Sequence, residues 1–321
     1  MTLTDSGVDP ALLLLAGFAV FVAVALALDL GVFHRAAHVV STREALRWTA
    51  VWVTAAVIFG GLILAVFGSD RAVEFFTGYV VEYSLSVDNV FVFGLVFAAF
   101  AIPRELQHRV LFWGVLGALV MRGVLIFLGA ELVERFEWLL LIFGAFLVLT
   151  GVRLLRRGGE TAAHPEDSPI VRFARRHLRV TAELHGQAFF VGRGAARAAT
   201  PLFLCLLVVE ASDLLFAVDS IPAIFGITTD PLIVFTSNAF AILGLRSLYF
   251  VLSEAADRFR YLGVGLGAVL LFIGLKLLAS PWIHLPPAAS LIVVATILGI
   301  AIGLSVRADR RDADGAGPSG G

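Results

Sequence analysis

The sequence predicts an all-α protein, a polytopic membrane bundle of about nine transmembrane helices that contains two inverted three-helix repeats. Three observations carry this prediction: the composition, the recurrence of apolar segments of membrane-crossing length, and two acidic motifs that resemble each other across the chain. Hydrophobic residues make up 59% of the 321 residues and charged residues 15%, with a mean hydropathy of +0.93. A water-soluble domain of this size could not solvate such a surface.

About 20 apolar residues cross a hydrocarbon core as a helix. Segments of that length lie at roughly 11–33, 48–67, 73–100, 109–130, 137–155, 200–228, 231–252, 260–279 and 287–306. The first lacks a basic start and a small-residue cleavage site, so it is expected to stay as a helix rather than be removed as a signal peptide. Residues 1–321 then form a single transmembrane domain. Its first repeat spans about 73–155, a polar connection about 156–199, and the second repeat about 200–280. The tail from 307, ending in DRRDADGAGPSGG, has the composition of a disordered end. The single Cys205 excludes a disulfide framework and a thiolate metal cage.

Positive charge sets the orientation. Nineteen of the 24 basic residues fall in the loops after spans one, three, five and seven and in the C-terminal tail, while the other side holds only Arg71 and Arg135. This asymmetry places the N-terminus outside and the C-terminus in the cytoplasm, as an odd span count requires. The 156–199 connection is then cytoplasmic. Its arginines are read as obeying the topology rule, with contact to anionic lipid as the alternative.

The motif EYSLSVDNVF (82–91) stands against DLLFAVDSIP (213–222), pairing Glu82 with Asp213 and Asp88 with Asp219. Downstream, GVLGALVMRGVLIF reaches Arg122 and NAFAILGLRSLYF reaches Arg246, each in the span after its acidic helix. Spans three to five therefore resemble spans six to eight. A three-span unit repeated without an intervening helix inserts its second copy upside down, with sites near the midplane where the halves meet.

At 100° per residue, Glu82, Ser86 and Asn89 share one stripe, with Ser84 and Asp88 on another. Asp213, Ser220 and Glu210 share one stripe of the second helix, with Ser212 and Asp219 on another. Either the two stripes make separate contacts or the helix is locally broken. Pro222 favours a break, since it cannot donate to the Val218 carbonyl.

An ionised carboxylate at mid-membrane costs roughly 2.5–3.5 kcal/mol on insertion scales, so such residues mark pathways, relays or ion pairs. The spans hold Asp29, Glu82, Asp88, Glu210, Asp213 and Asp219 against Arg122, Arg246 and Lys276. Ion pairing can neutralise three of the six acids, and the others must be protonated or bind a cation. Carboxylates with Asn89, Ser220 and Asn238 are hard oxygen donors suited to Mn²⁺, Mg²⁺ or Ca²⁺. The histidines, His108 among them, all sit in loops or at helix ends and are expected to be solvated or interfacial. Glu131, Glu134 and Glu137 form an outward-facing acidic patch, and Gly114, Gly117, Gly263 and Gly267 are read as close-packing positions. No soluble enzyme motif is present, so neither an enzyme, a permanently bound cofactor nor a nucleic-acid partner is expected.

EYSLSVDNVFVF, ALDLGVFHR, LFWGVLGALVMRG, DLLFAVDSIPAIFGIT and TSNAFAILGLRSLYF together resemble the TerC/Alx family of bacterial membrane proteins, named for tellurium resistance, over about residues 26–280. The resemblance implies a metal-homeostasis protein of the bacterial cytoplasmic membrane, linked to manganese export and to supplying metal to exported proteins, with exported metalloproteins or the secretion machinery as partners. Tellurite is an oxyanion that an acid-lined path would repel. The expected function is export of a divalent cation, Mn²⁺ first. In this scheme Asp88 and Asp219 are central ligands and Glu82 and Asp213 are paired ligands or proton carriers. Asn89, Ser220 and Asn238 are neutral ligands, and Asp29 stands at the cytoplasmic gate. Arg122 and Arg246 would hold the carboxylates when the ion leaves, and Lys276 is a counter-ion or a snorkelling side chain. The alternative is a non-transporting scaffold or redox and stress-tolerance modulator in which the charges only lock helices together.

Overall fold

A computed structural model describes residues 10–28, 40–156, 169–192, 197–252, 261–283 and 285–315. Helices dominate them. In chain order they are α1 (Pro10–Leu28), α2 (Thr42–Phe67), α3 (Ser69–Ala99), α4 (Arg104–Arg135), α5 (Trp138–Arg156), a short α6 (Pro169–His177), α7 (Pro201–Phe225), α8 (Pro231–Leu252), α9 (Leu262–Ala279) and α10 (Pro287–Gly315). A two-stranded antiparallel ribbon, β1 (Phe190–Val191) with β2 (Ala198–Ala199), lies in the polar connection and pairs Phe190 with Ala199.

Local chemistry sets the helix boundaries. Ser41 and Glu44 bracket the start of α2, where the Ser41 hydroxyl accepts from the Glu44 N–H at 3.3 Å. Gly68, at φ +90°, separates α2 from α3, a conformation that a side chain would resist. Proline opens α7, α8 and α10, where its missing N–H costs nothing. The Asp230 carboxylate caps α8 by accepting from the Leu232 N–H at 3.0 Å.

Seven described helices are long and apolar enough to cross a membrane: α1, α2, α4, α5, α7, α8 and α10. The apolar stretch of α9, Gly263–Ala279, is shorter, and α3 is not among the seven. Nearly nine-tenths of the apolar window of α8 is buried, against 6% for α1. α8 is therefore central and α1 peripheral.

α3 and α8 run the same way, since Gly78 abuts Ser237 and, further along both, Tyr83 abuts Gly244. α4 and α7 also run the same way, with Gly114 facing Val209 and Gly129 facing Phe225. α5 and α9 pack more extensively than any other pair and run oppositely. A β-carbon on Gly151 would lie 2.7 Å from the Gly267 carbonyl oxygen, and one on Gly274 would lie 2.8 Å from that of Gly144. These glycines bring backbone against backbone. In lipid, where apolar burial drives little association, such close approach is what holds helices together.

Three expectations change. α7 is one helix through Pro222 to Phe225, so no break separates its acidic stripes. His108 is buried, because α4 is already helical from Arg104 and packs one face inward there. α10 continues to Gly315, into the stretch expected to be disordered.

Candidate functional site

Four helices deliver polar side chains to one buried point. Arg122 of α4 is 1% exposed and stands between α3, α7 and α8. Its Nε donates to Asp213 Oδ2 at 3.0 Å and its Nη2 to Asp213 Oδ1 at 2.8 Å, a two-pronged fork onto one carboxylate of α7. Its Nη1 donates to Glu82 Oε1 of α3, to Ser220 Oγ of α7 at 3.2 Å and to Asn238 Oδ1 of α8 at 3.4 Å. Glu82, Asp213, Ser220 and Asn238 are each at most 2% exposed. The arrangement follows from the helical pitch, since Asp213 and Ser220 are two turns apart on α7 and both face α4.

Within hydrogen-bonding reach of Arg122, two carboxyl groups meet one guanidinium, so with both ionised one negative charge is in excess. Three buried atoms at the same place have no partner among the described residues: Glu82 Oε2, Ser86 Oγ and Asn238 Nδ2. A bare carboxylate oxygen in a sealed interior is costly, of order 1–3 kcal/mol or more. Two ionised carboxylates, two hydroxyls and an amide are the donors a hard cation takes. Among the described residues, no three histidine, cysteine, aspartate or glutamate groups come together as a metal cluster, so any cation here relies on neutral oxygens besides the two acids.

The structure thus brings together Glu82, Asp213, Ser220, Asn238 and Arg122. Asn89 is buried two turns along α3 from Glu82. Asp219 lies elsewhere. It is half-buried on the other stripe of α7, where it accepts from the Thr150 hydroxyl of α5 at 3.5 Å with Arg153 in electrostatic range. Asp29 and the Asp88 side chain lie outside the described residues, as do His34, His38, His164 and His284. Arg246 of α8 is half-buried and borders two cavities of about 10 Å³ each, one of which Asp213 also lines. Glu210 packs on Gly117 of α4, and Lys276 of α9 lies within electrostatic range of Glu74, away from the cluster. Glu131, Glu134 and Glu137 rim a cavity of about 1110 Å³ between the ends of α4, α5, α8 and α9.

Sequence reasoning passed over Thr150, which nothing but its neighbour across the α5–α7 contact distinguishes. It also missed a legible signal, GAFLVLTGVRLL (144–155) against GAVLLFIGLKLL (267–278), which aligns the crossing glycines in pairs and sets Arg153 against Lys276.

The family described as "Integral membrane protein TerC family" matches residues 67–313. An uncharacterized membrane protein of Myxococcus xanthus is 53% identical over 288 residues, 89% of this chain and 90% of its own. A protein of Escherichia coli K12 named Alx, described as a candidate membrane-bound redox modulator, is 48% identical over 295 residues, 89% of this chain and 92% of its own. An uncharacterized membrane protein of Rickettsia bellii is 42% identical over 281 residues, 88% of this chain and 93% of its own. No solved structure matches the chain.

Proposed function

The chain belongs to the TerC family of integral membrane proteins, and from that premise we propose that it carries a divalent metal cation, Mn²⁺ first, out of the cell. The observation that carries this reading is the sealed meeting of Glu82 and Asp213 on Arg122, beside a carboxylate oxygen that has no partner among the described residues. A structural ion pair would be expected to balance its charges and satisfy its oxygens. This cluster has two carboxyl groups to one guanidinium and leaves one oxygen without a partner among the described residues, which suits a site that a cation enters.

The nine-span, inverted-repeat architecture is supported by the packing. If α3, α4 and α5 are equivalent to α7, α8 and α9 and inserted oppositely, then α3 should run with α8, α4 with α7, and α5 against α9. The glycine contacts have those directions. Equivalence also predicts that Gly151 resembles Gly274 and that Gly144 resembles Gly267. The first pair is the tighter, with β-carbon clearances of 2.7 and 2.8 Å, and the second the looser, at 3.0 and 3.1 Å. The basic-residue asymmetry supports an external N-terminus and a cytoplasmic C-terminus in the bacterial inner membrane. The rim of Glu131, Glu134 and Glu137 then opens outside, where a released cation would leave.

In this scheme Glu82 and Asp213 are the charged ligands, Ser220 and Asn238 the neutral ones, and Arg122 the resident cation that the metal displaces. Asp88 and Asn89 extend the path along α3, and Asp219 belongs to a separate contact with α5. A redox-modulator role, which the name of the E. coli relative suggests, would not run through an intrachain disulfide. The chain's one cysteine, Cys205, is buried and cannot form an intrachain disulfide. Metal flux in proteoliposomes tests the proposal: the wild-type protein should move Mn²⁺, and cells lacking the protein should accumulate manganese. A purified protein that moves no divalent cation would leave the scaffold reading.

A further inference from the structure

The polar connection after α5 holds a nine-residue helix that the transport reading leaves unused. α6 has the sequence PIVRFARRH. Its Val171 and Ala174 are buried, and Val171 shares an apolar cluster with Leu202 and Cys205 from the first turns of α7. That contact fixes α6 at the level where the apolar stretch of α7 begins, which is the height of lipid headgroups. Arg172 and Arg176 are exposed, Phe173 is 64% exposed with its ring against His177, and exposed Leu178 and Arg179 follow directly. No acidic residue occurs between Ser168 and Ala182.

An apolar ring among guanidinium groups is poorly placed in water and well placed at a membrane surface. There the ring meets the upper acyl chains, and the planar forks match phosphate oxygens. We propose that α6, with Leu178 and Arg179, docks onto anionic phospholipid of the adjacent leaflet, Phe173 entering the interface while Arg172, Arg176 and Arg179 hold headgroup phosphates. Charge complementarity selects the occupant. A one-signed surface attracts anionic lipid and gains no net charge attraction from zwitterionic lipid. This surface is distinct from the Arg122 cluster and does not depend on what that cluster carries.

The test uses the full chain in nanodiscs. Phe173→Cys carries an environment-sensitive fluorophore, and buried Cys205 remains unlabelled. Nanodiscs of phosphatidylcholine are compared with nanodiscs that also hold phosphatidylglycerol. The expected result is a blue-shifted emission, quenched by brominated acyl chains, that requires the anionic lipid. The triple variant Arg172→Gln, Arg176→Gln and Arg179→Gln should need about tenfold or more anionic lipid for the same shift, with Cys205 still unreactive as evidence of an intact fold. The same unquenched emission in both lipids would overturn the proposal by showing that this face meets water. Reversal of the shift by inorganic phosphate at equal phosphorus concentration would overturn it in favour of a free-anion site.

Discussion

Arg122 and Arg246 each follow an acidic helix in similar stretches of sequence, and the structure treats them differently. Arg122 is sealed, with all three guanidinium nitrogens engaged by acceptors from three other helices. Arg246 is half-buried beside cavities large enough for roughly one water each. If the two halves are one unit used twice, a single conformation has broken their equivalence at the arginines and preserved it at the α5–α9 glycines. Backbone-to-backbone crossings have no alternative packing, while a long guanidinium between carboxylates from both halves does. Changing one member of each pair at a time tests whether the two arginines and the two glycine pairs are interchangeable.

The largest effect should come from the carboxylates that only Arg122 gathers. Asp213→Asn and Glu82→Gln each keep size and an oxygen acceptor and remove the charge that offsets dehydration of a divalent ion. Each should lower Mn²⁺ flux by about 100-fold, and the double variant should be little worse, as for residues acting as one unit. Asp219→Asn, whose contact is Thr150, should cost less and combine multiplicatively with Asp213→Asn. Flux in proteoliposomes checks this, and non-additivity between Asp213 and Asp219 would merge the two stripes into one site.

Next in size are the arginines themselves. Arg122→Gln leaves two buried carboxylates without a counter-ion and should destabilise the metal-free protein by about 3–5 kcal/mol. Arg246→Gln should cost about 1 kcal/mol. Saturating Mn²⁺ should recover part of the Arg122→Gln loss, since a bound cation takes over the neutralising role. Thermal unfolding in detergent with and without metal gives all four values. Equal losses in both conditions would favour charges that only lock helices.

The glycine pairs come third. Gly151→Ala and Gly274→Ala each press a methyl group onto backbone and should cost alike, about 1–3 kcal/mol. Gly144→Ala and Gly267→Ala should also match each other, at a smaller cost. Unequal costs within a pair would break the equivalence of α5 and α9.

The helical class, the membrane setting and the stripe that joins Asp213 to Ser220 were legible because periodicity and charge cost are local properties of the chain. So was the excess of acids over bases within the spans. The separation of Asp219 was half legible. Its stripe could be computed, but its partner Thr150 sits 69 residues away on a helix whose packing no local rule gives. Pro222 misled because a proline breaks an isolated helix more readily than one held on several sides by neighbours. The glycine crossing was present in the sequence as two similar twelve-residue stretches, obscured because apolar residues dominate both.

The smallest effect is expected at Arg246, where a lysine separates charge from shape when set against the same change at Arg122. Arg122 uses Nε, Nη1 and Nη2 in different directions, and a lysine at that position offers one nitrogen that cannot fork Asp213 while also reaching Glu82 and Asn238. Arg122→Lys should therefore lose most of the flux although the charge is kept. Arg246 borders space that water can enter, so Arg246→Lys should keep a hydrated cation in place and stay within about 0.5 kcal/mol of wild type, with flux nearly unchanged. The paired measurement, flux and unfolding for both lysine variants, has a clear adverse outcome. If Arg246→Lys is as damaging as Arg122→Lys, the two arginines do equivalent work during the transport cycle, and the asymmetry between them belongs to one conformation rather than to the mechanism.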